Sequence, residues 1–119
     1  MEPNHISVMQ EEVRKWTGHN FQGDSVQDVT LGIAEETGEL CRAVLKRWQG
    51  IRGTHAEWTE EIHKEAADVF IKLCHLAAVE GFDLWEAIWA RWQVVSQRDF
   101  INDPMQRRVK GDWAYEEDG

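Results

Sequence analysis

Prolines occur only at positions 3 and 104 of the 119-residue chain, so positions 4–103 run without one. Proline removes a backbone donor and clashes inside a helix, and its absence over that span leaves long helices open to the chain. The span is punctuated instead by caps and glycines. Ser25 with Asp28, Thr54 with Glu57, and Asp83 with Glu86 have the three-residue spacing of N-terminal capping pairs. Gly18, Gly50 and Gly81 stand where helices would stop. These signals predict helices over about Ile6 to Trp16, Val26 to Gln49, a third from Trp58 through Leu76, and a fourth after Asp83.

Apolar residues fall at three- and four-residue steps, the period of a helix with one buried face. The first helix carries Val8, Met9, Val13 and Trp16. The second carries Leu31, Ala34, Gly38, Cys41, Leu45 and Trp48. The third carries Trp58, Ile62, Ala66, Val69, Leu73 and Leu76, and the fourth Trp85, Ile88, Trp92 and Val95. No useful length of apolar–polar alternation appears, so strands are not expected. The predicted fold is all-α, a four-helix antiparallel bundle. It forms one domain over 1–119, with a core at about 5–100 and an irregular tail at 101–119. Seven tryptophans are many for this length. Each fits either a small core or a subunit contact. Trp85, Trp89 and Trp92 spread over too wide an arc to face one interior, so a homo-oligomer, dimer or tetramer, is expected to form through helix faces.

A net charge of −9 argues against nucleic-acid polymers and anionic membranes as partners. Such a chain holds a polyanion only with cations between them. No apolar run approaches the roughly 20 residues of a membrane span. Residues 1–7 show no basic-then-apolar leader pattern. Cys41 and Cys74 form no Cys-x-x-Cys pair and sit among apolar residues, as reduced core thiols of a cytoplasmic protein would.

The second helix holds Glu35, Glu36 and Glu39, and the third holds Glu60, Glu61, Glu65 and Asp68. Glu36 and Glu39 share a helix face, as do Glu65 and Asp68, because three-residue neighbours do. Each pair borders an apolar stripe. Packed stripes would bring four carboxylates together at the edge of the core. Two like charges at 4 Å repel by about 4 kcal/mol at an effective dielectric near 20. A hard divalent cation removes that conflict, and all-oxygen ligands favour Mg²⁺ or Mn²⁺ over zinc. The plainer reading is a solvated face paired to Lys46, Lys64 and Lys72. A single Glu-x-x-Glu fits that reading; two pairs on successive helices, with small residues between them, fit the cation better. A di-iron bundle needs two Glu-x-x-His motifs, and only Glu60–His63 is present. There is no Gly-rich phosphate loop, nucleophile elbow or zinc pattern.

Gly-Ile-Ala-Glu-Glu-Thr-Gly-Glu-Leu at 32–40, followed by Lys-Glu-Ala-Ala-Asp-Val at 64–69, resembles the MazG-like all-α nucleoside triphosphate pyrophosphohydrolases. The likeness covers about 26–100. It implies Mg²⁺ at Glu36, Glu39, Glu65 and Asp68, and conversion of a nucleoside triphosphate to monophosphate and pyrophosphate. Glu35 matches an extra acidic position that orients or deprotonates the attacking water. The family's Lys, Asn and Arg on the last helix correspond to Arg91, Val95 and Arg98; Val95 lacks the amide. Arg91, Arg98 or Lys72 would neutralise phosphoryl charge, or serve as surface ion-pair partners. Trp48 and Phe21 would stack a base, or fill the core. Relatives specific for dUTP, dCTP or phosphoribosyl-ATP share the same motif. A non-enzymatic helical interaction module is the alternative from outside the enzyme class.

Overall fold

The computed structural model describes residues 4–103. Four helices form among them, α1 (His5–Asn20), α2 (Val26–Gln49), α3 (His55–Glu80) and α4 (Leu84–Val95), and no strand. The capping chemistry read from the sequence is realised at α2 and α3. Ser25 Oγ accepts from the Asp28 N–H at 3.1 Å while the Asp28 carboxylate accepts from the Ser25 N–H at 3.0 Å. Thr54 and Glu57 repeat the exchange at 3.0 Å each way. Each box satisfies two backbone donors at a helix start. α2 ends on Gly50 and α3 on Gly81, as expected.

α1 does not stop at Gly18. Thr17 Oγ1 donates to the Val13 carbonyl at 2.8 Å, and the Phe21 N–H donates to the Thr17 carbonyl at 2.7 Å. A glycine weakens a helix by about 1 kcal/mol without ending it. The chain leaves the helix only at Phe21. Residues 96–103 are non-helical, and the first three residues of the expected tail, 101–103, fall within them. The remainder of that tail, 104–119, lies outside the described residues.

α3 packs along α2, and α1 packs on α3. Val13, Cys74, Ala77 and Leu84 form the core, flanked by Ile6, Phe70, Ile71 and Leu73. Gln10 ties α1 to the turn after α3. Its side-chain amide donates to the Phe82 carbonyl at 2.8 Å, and its oxygen accepts from the Leu84 N–H at 2.8 Å. The chain divides after Trp85 into two compact units. The second begins at Glu86 and holds the rest of α4. No described helix is long and apolar enough to cross a membrane.

The buried face of α2 differs from the expected one. Leu31 is 71% exposed and Trp48 84%, and Cys41 and Leu45 are exposed with them. Burial follows Val29, Ile33, Glu36, Leu40, Ala43 and Arg47 instead. Both sets keep the helical period, so period alone did not select between them. The larger apolar residues stay outside, and the chain buries a face carrying Ala43 and Glu36. Cys41 is therefore an exposed thiol, not a core one, while Cys74 is buried as expected. On α3 the centre of the buried face is likewise shifted, to Glu65, Cys74, His75 and Ala77, and Ala66 is exposed.

The α2–α3 turn is fixed around Trp58. Its indole N–H donates to the Arg52 carbonyl, and the Arg42 guanidinium lies 5.8 Å from its ring centroid. Gly53 has φ 69°, and a Cβ there would meet Trp58 Nε1 at 2.9 Å. Gly53→Ala is expected to destabilise the chain by about 1–2 kcal/mol from the left-handed backbone alone. A lowered urea midpoint at unchanged slope would register it. An unchanged midpoint would mean that this turn is not held as described.

Candidate metal centre and the cleft beside it

The α2–α3 contact carries the carboxylates into the interface. Glu65 is only 5% exposed, and Glu36 and Asp68 are half-buried. One carboxylate oxygen from each of these three lies within 4.8 Å of the others. Glu36 Oε2 and Glu65 Oε2 are buried atoms without a hydrogen-bond partner. Glu39 is exposed at the rim. Its carboxyl comes within hydrogen-bonding reach of both Glu36 and Glu65. All four expected carboxylates thus converge, three at close range and Glu39 beside them.

Two carboxyl groups hydrogen-bond only when one holds a proton. The cluster must therefore take up protons or a cation. The Glu65 carboxyl is pushed up to about 7, first by its hydrogen bond with Glu61, then by burial and by Glu39. Burial raises Glu36 above the ordinary carboxylate range, Glu39 and Asp68 add to the rise, and Lys72 opposes it. Among the described residues no lysine forms an ion pair with these four carboxylates; Lys64 pairs instead with Glu61 at 3.5 Å. Two orphaned buried oxygens in an all-carboxylate donor set suit a hard divalent cation. No histidine joins the cluster, and Glu60 and His63 are both exposed, which leaves the di-iron alternative without a site among the described residues.

Glu35 is exposed, adjacent to Glu36. Lys72 lies one turn after Asp68 and crosses towards α2. A Cβ on Gly32 would meet its Nζ at 3.3 Å, so a glycine there leaves room for the ammonium. That ammonium sits 5.9 Å from the Phe21 ring centroid. Phe21, partly exposed, is thereby brought to the flank of the cluster; its ring also meets Trp16 edge-on at 5.4 Å and His75 at 6.4 Å. Trp48 is not brought there. It lies nine residues beyond Glu39 on α2, about 13 Å along the axis, in a shallow apolar cleft with Leu40, Cys41, Val44 and Leu45. Neither the stacking role nor the core role expected of Trp48 is met within its own chain. Arg91 lies on α4 and Arg98 in the turn after it, both in the unit that begins at Glu86.

Sequence reasoning passed over Glu61 and His75. Glu61 stands four residues before Glu65, one turn away on the same face, and that spacing was the available signal. His75 showed no ligand spacing to another histidine. It is nevertheless 4% exposed and lines a cleft of about 330 Å³.

The fold and the cluster define an all-α protein in which two packed helices bring carboxylates together at metal-ligand spacing. Residues 24–99 match the model of the MazG nucleotide pyrophosphohydrolase domain, and the chain belongs to that family. Comparisons with curated proteins and with solved structures return no match.

Proposed function

We propose that this chain is a Mg²⁺-dependent nucleoside triphosphate pyrophosphohydrolase, with Mn²⁺ as a substitute ion. It would convert a ribo- or deoxyribonucleoside triphosphate to the monophosphate and pyrophosphate, as a nucleotide-pool cleaning activity of the cytoplasm. The observation that carries this reading is the pair of buried oxygens on Glu36 and Glu65 that lack a hydrogen-bond partner, beside Asp68. Glu36, Glu39, Glu65 and Asp68 would hold the cation. When bound, it supplies charge neutralisation for the polyphosphate and acidification of water. Glu35 receives the proton of the attacking water. The water oxygen bonds to phosphorus, the anhydride between the α- and β-phosphoryl groups breaks, and the electron pair leaves with the bridging oxygen. Lys72, beside Glu36, screens the charge that builds on the phosphoryl oxygens. Arg91 and Arg98 are assigned the same task by family pattern. Incubation with Mg²⁺ and a panel of nucleotides, resolved by anion exchange, should give monophosphate and pyrophosphate. Diphosphate and orthophosphate as main products would overturn the assignment. No turnover across the panel would favour a helical interaction module.

Assembly is part of the same reading. Leu31, Leu45, Trp48 and Ile51 are large, apolar and exposed on α2 and the turn after it, more apolar surface than a small monomer usually leaves in water. Sedimentation equilibrium at micromolar concentration should find a dimer or tetramer. Trp48→Glu should weaken association by about thirtyfold or more, the effect of losing an aromatic hot spot. A wild-type monomer would defeat the idea.

A further inference from the structure

The cleft of about 330 Å³ opens between the C-terminal end of α1, the following loop and α3. That volume is in the range of small-ligand sites. Phe21, Gln22, Asp24, Thr17 and His75 are among the residues that line it. Along α3, Asp68, Lys72 and His75 recur at helical steps, so they share a face. Seven residues separate Asp68 from His75, about 10 Å of helix. A nucleotide covers such a span from phosphate to base. Lys72 joins the two ends electrostatically, acting on the Glu36 carboxylate and on the His75 ring, with its ammonium over Phe21.

His75 is the polar group at the buried side of this cleft. Burial holds its ring neutral, below the ordinary histidine range; Asp24 opposes that shift and Lys72 adds to it. A neutral imidazole offers one donor and one acceptor. Among the described residues His75 makes no side-chain hydrogen bond, and its nitrogens are not among the fully buried atoms that lack a partner. The ring lines the cleft 6.4 Å from the Phe21 ring centroid, and its polar edge is left open to a ligand rather than held by the chain.

We propose that His75 is a specificity-determining residue, which hydrogen-bonds the edge of a nucleobase seated against Phe21 while the phosphates lie at the carboxylates. The proposal rests on the nucleotide reading above and deepens it. Base–aromatic stacking tolerates any base, because every base has a π-face. Discrimination must come from a polar group that is left unpaired by the wrong edge. His75 is that group.

Two variants and one spectroscopic readout test this. His75→Phe keeps a planar ring and removes both nitrogens; His75→Asn restores a donor and an acceptor. For the preferred nucleotide, His75→Phe should raise KM about tenfold, the size of one lost hydrogen bond, with kcat changed little. The spread of kcat/KM across bases should narrow, and His75→Asn should recover part of it. Competitive inhibition by inorganic triphosphate, which has no base, should be the same in all three proteins. Independently of turnover, a nucleoside monophosphate titrated into ¹³C-histidine-labelled wild-type protein should shift the His75 ring resonance and leave the other histidines in place. A shifted ring in a protein that turns over no nucleotide would sink the pyrophosphohydrolase reading and keep the base site. An unmoved ring, or an unchanged base preference in His75→Phe, would overturn the assignment of His75 even in an active enzyme. Equal weakening of inorganic triphosphate would overturn it too, by showing that the residue acts only on folding.

Discussion

Glu65→Gln is expected to lower turnover by about two orders of magnitude or more, with Glu36→Gln and Asp68→Asn close behind. Glutamine keeps the volume of the side chain at a site that is almost fully buried, so the loss reports chemistry rather than a cavity. The three oxygens that converge within 4.8 Å belong to different residues, and each ion needs several of them at once. Removing one should disable the unit, so double replacements should add little to any single one. Glu39 is the rim member, exposed rather than buried, and its replacement tests whether the family's fourth carboxylate is needed in this chain. Glu35→Gln should behave differently. Mg²⁺ should still raise the melting temperature of that variant while turnover falls, because Glu35 is assigned to the water and not to the ion. Losses that multiply across the Glu36, Glu65 and Asp68 variants would mean three independent sites of action and would sink the shared-ion reading.

What was legible in the sequence divides by the kind of physics involved. Local chemistry was read correctly at Ser25 and Thr54, because a capping box is decided within four residues. The convergence of Glu36, Glu65 and Asp68 was legible too, since three-residue spacing on two successive helices leaves little choice of face. The side of α2 that faces α3 was not. Leu31, Leu45 and Trp48 outweigh Val29 and Ala43 in apolar surface, and a stripe argument follows the larger residues. Which stripe is buried is decided by the surface it meets on α3, and no spacing along α2 contains that information. Gly18 misled for a related reason. Its cost is small, and Thr17 and Asn20 side chains, bonded to the Val13 and Trp16 carbonyls, hold the last turn. His75 was invisible because its place in a cleft depends on α1 and the following loop packing on α3, which no spacing along α3 reports.

The metal-free protein should lose stability as pH rises from about 5 to about 8, and Mg²⁺ should remove that loss. Glu65 carries the effect. Its carboxyl titrates at about 7 in the folded chain, above the ordinary 4.5, because Glu61, burial and Glu39 all favour the neutral form. A group raised in this way binds its proton more tightly when folded than when unfolded. Its contribution is fully present below about 4.5 and is lost as pH climbs through about 7. Glu36 is shifted in the same direction. His75 works against them, since its folded ring is held neutral and so favours stability as pH rises towards its ordinary value of 6.5. Glu11, Asp28 and Asp99 are lowered by their hydrogen bonds and act only in more acid solution. Comparison with Glu65→Gln therefore isolates Glu65: the fall in melting temperature between about pH 5 and pH 8 should shrink in the variant, while the opposing slope from His75 stays. A cation competes with the proton for the same oxygens, so Mg²⁺ should bind more tightly as pH rises through 7. At a hundredfold excess over its dissociation constant it should stabilise the fold by about 2.7 kcal/mol. For a domain of this length that is a rise of about 10 °C. Melting curves by circular dichroism, at the two ends of the pH range and with and without Mg²⁺, would show it. Equal Mg²⁺ responses at both pH values, or in wild type and Glu65→Gln alike, would place the ion somewhere other than this cluster.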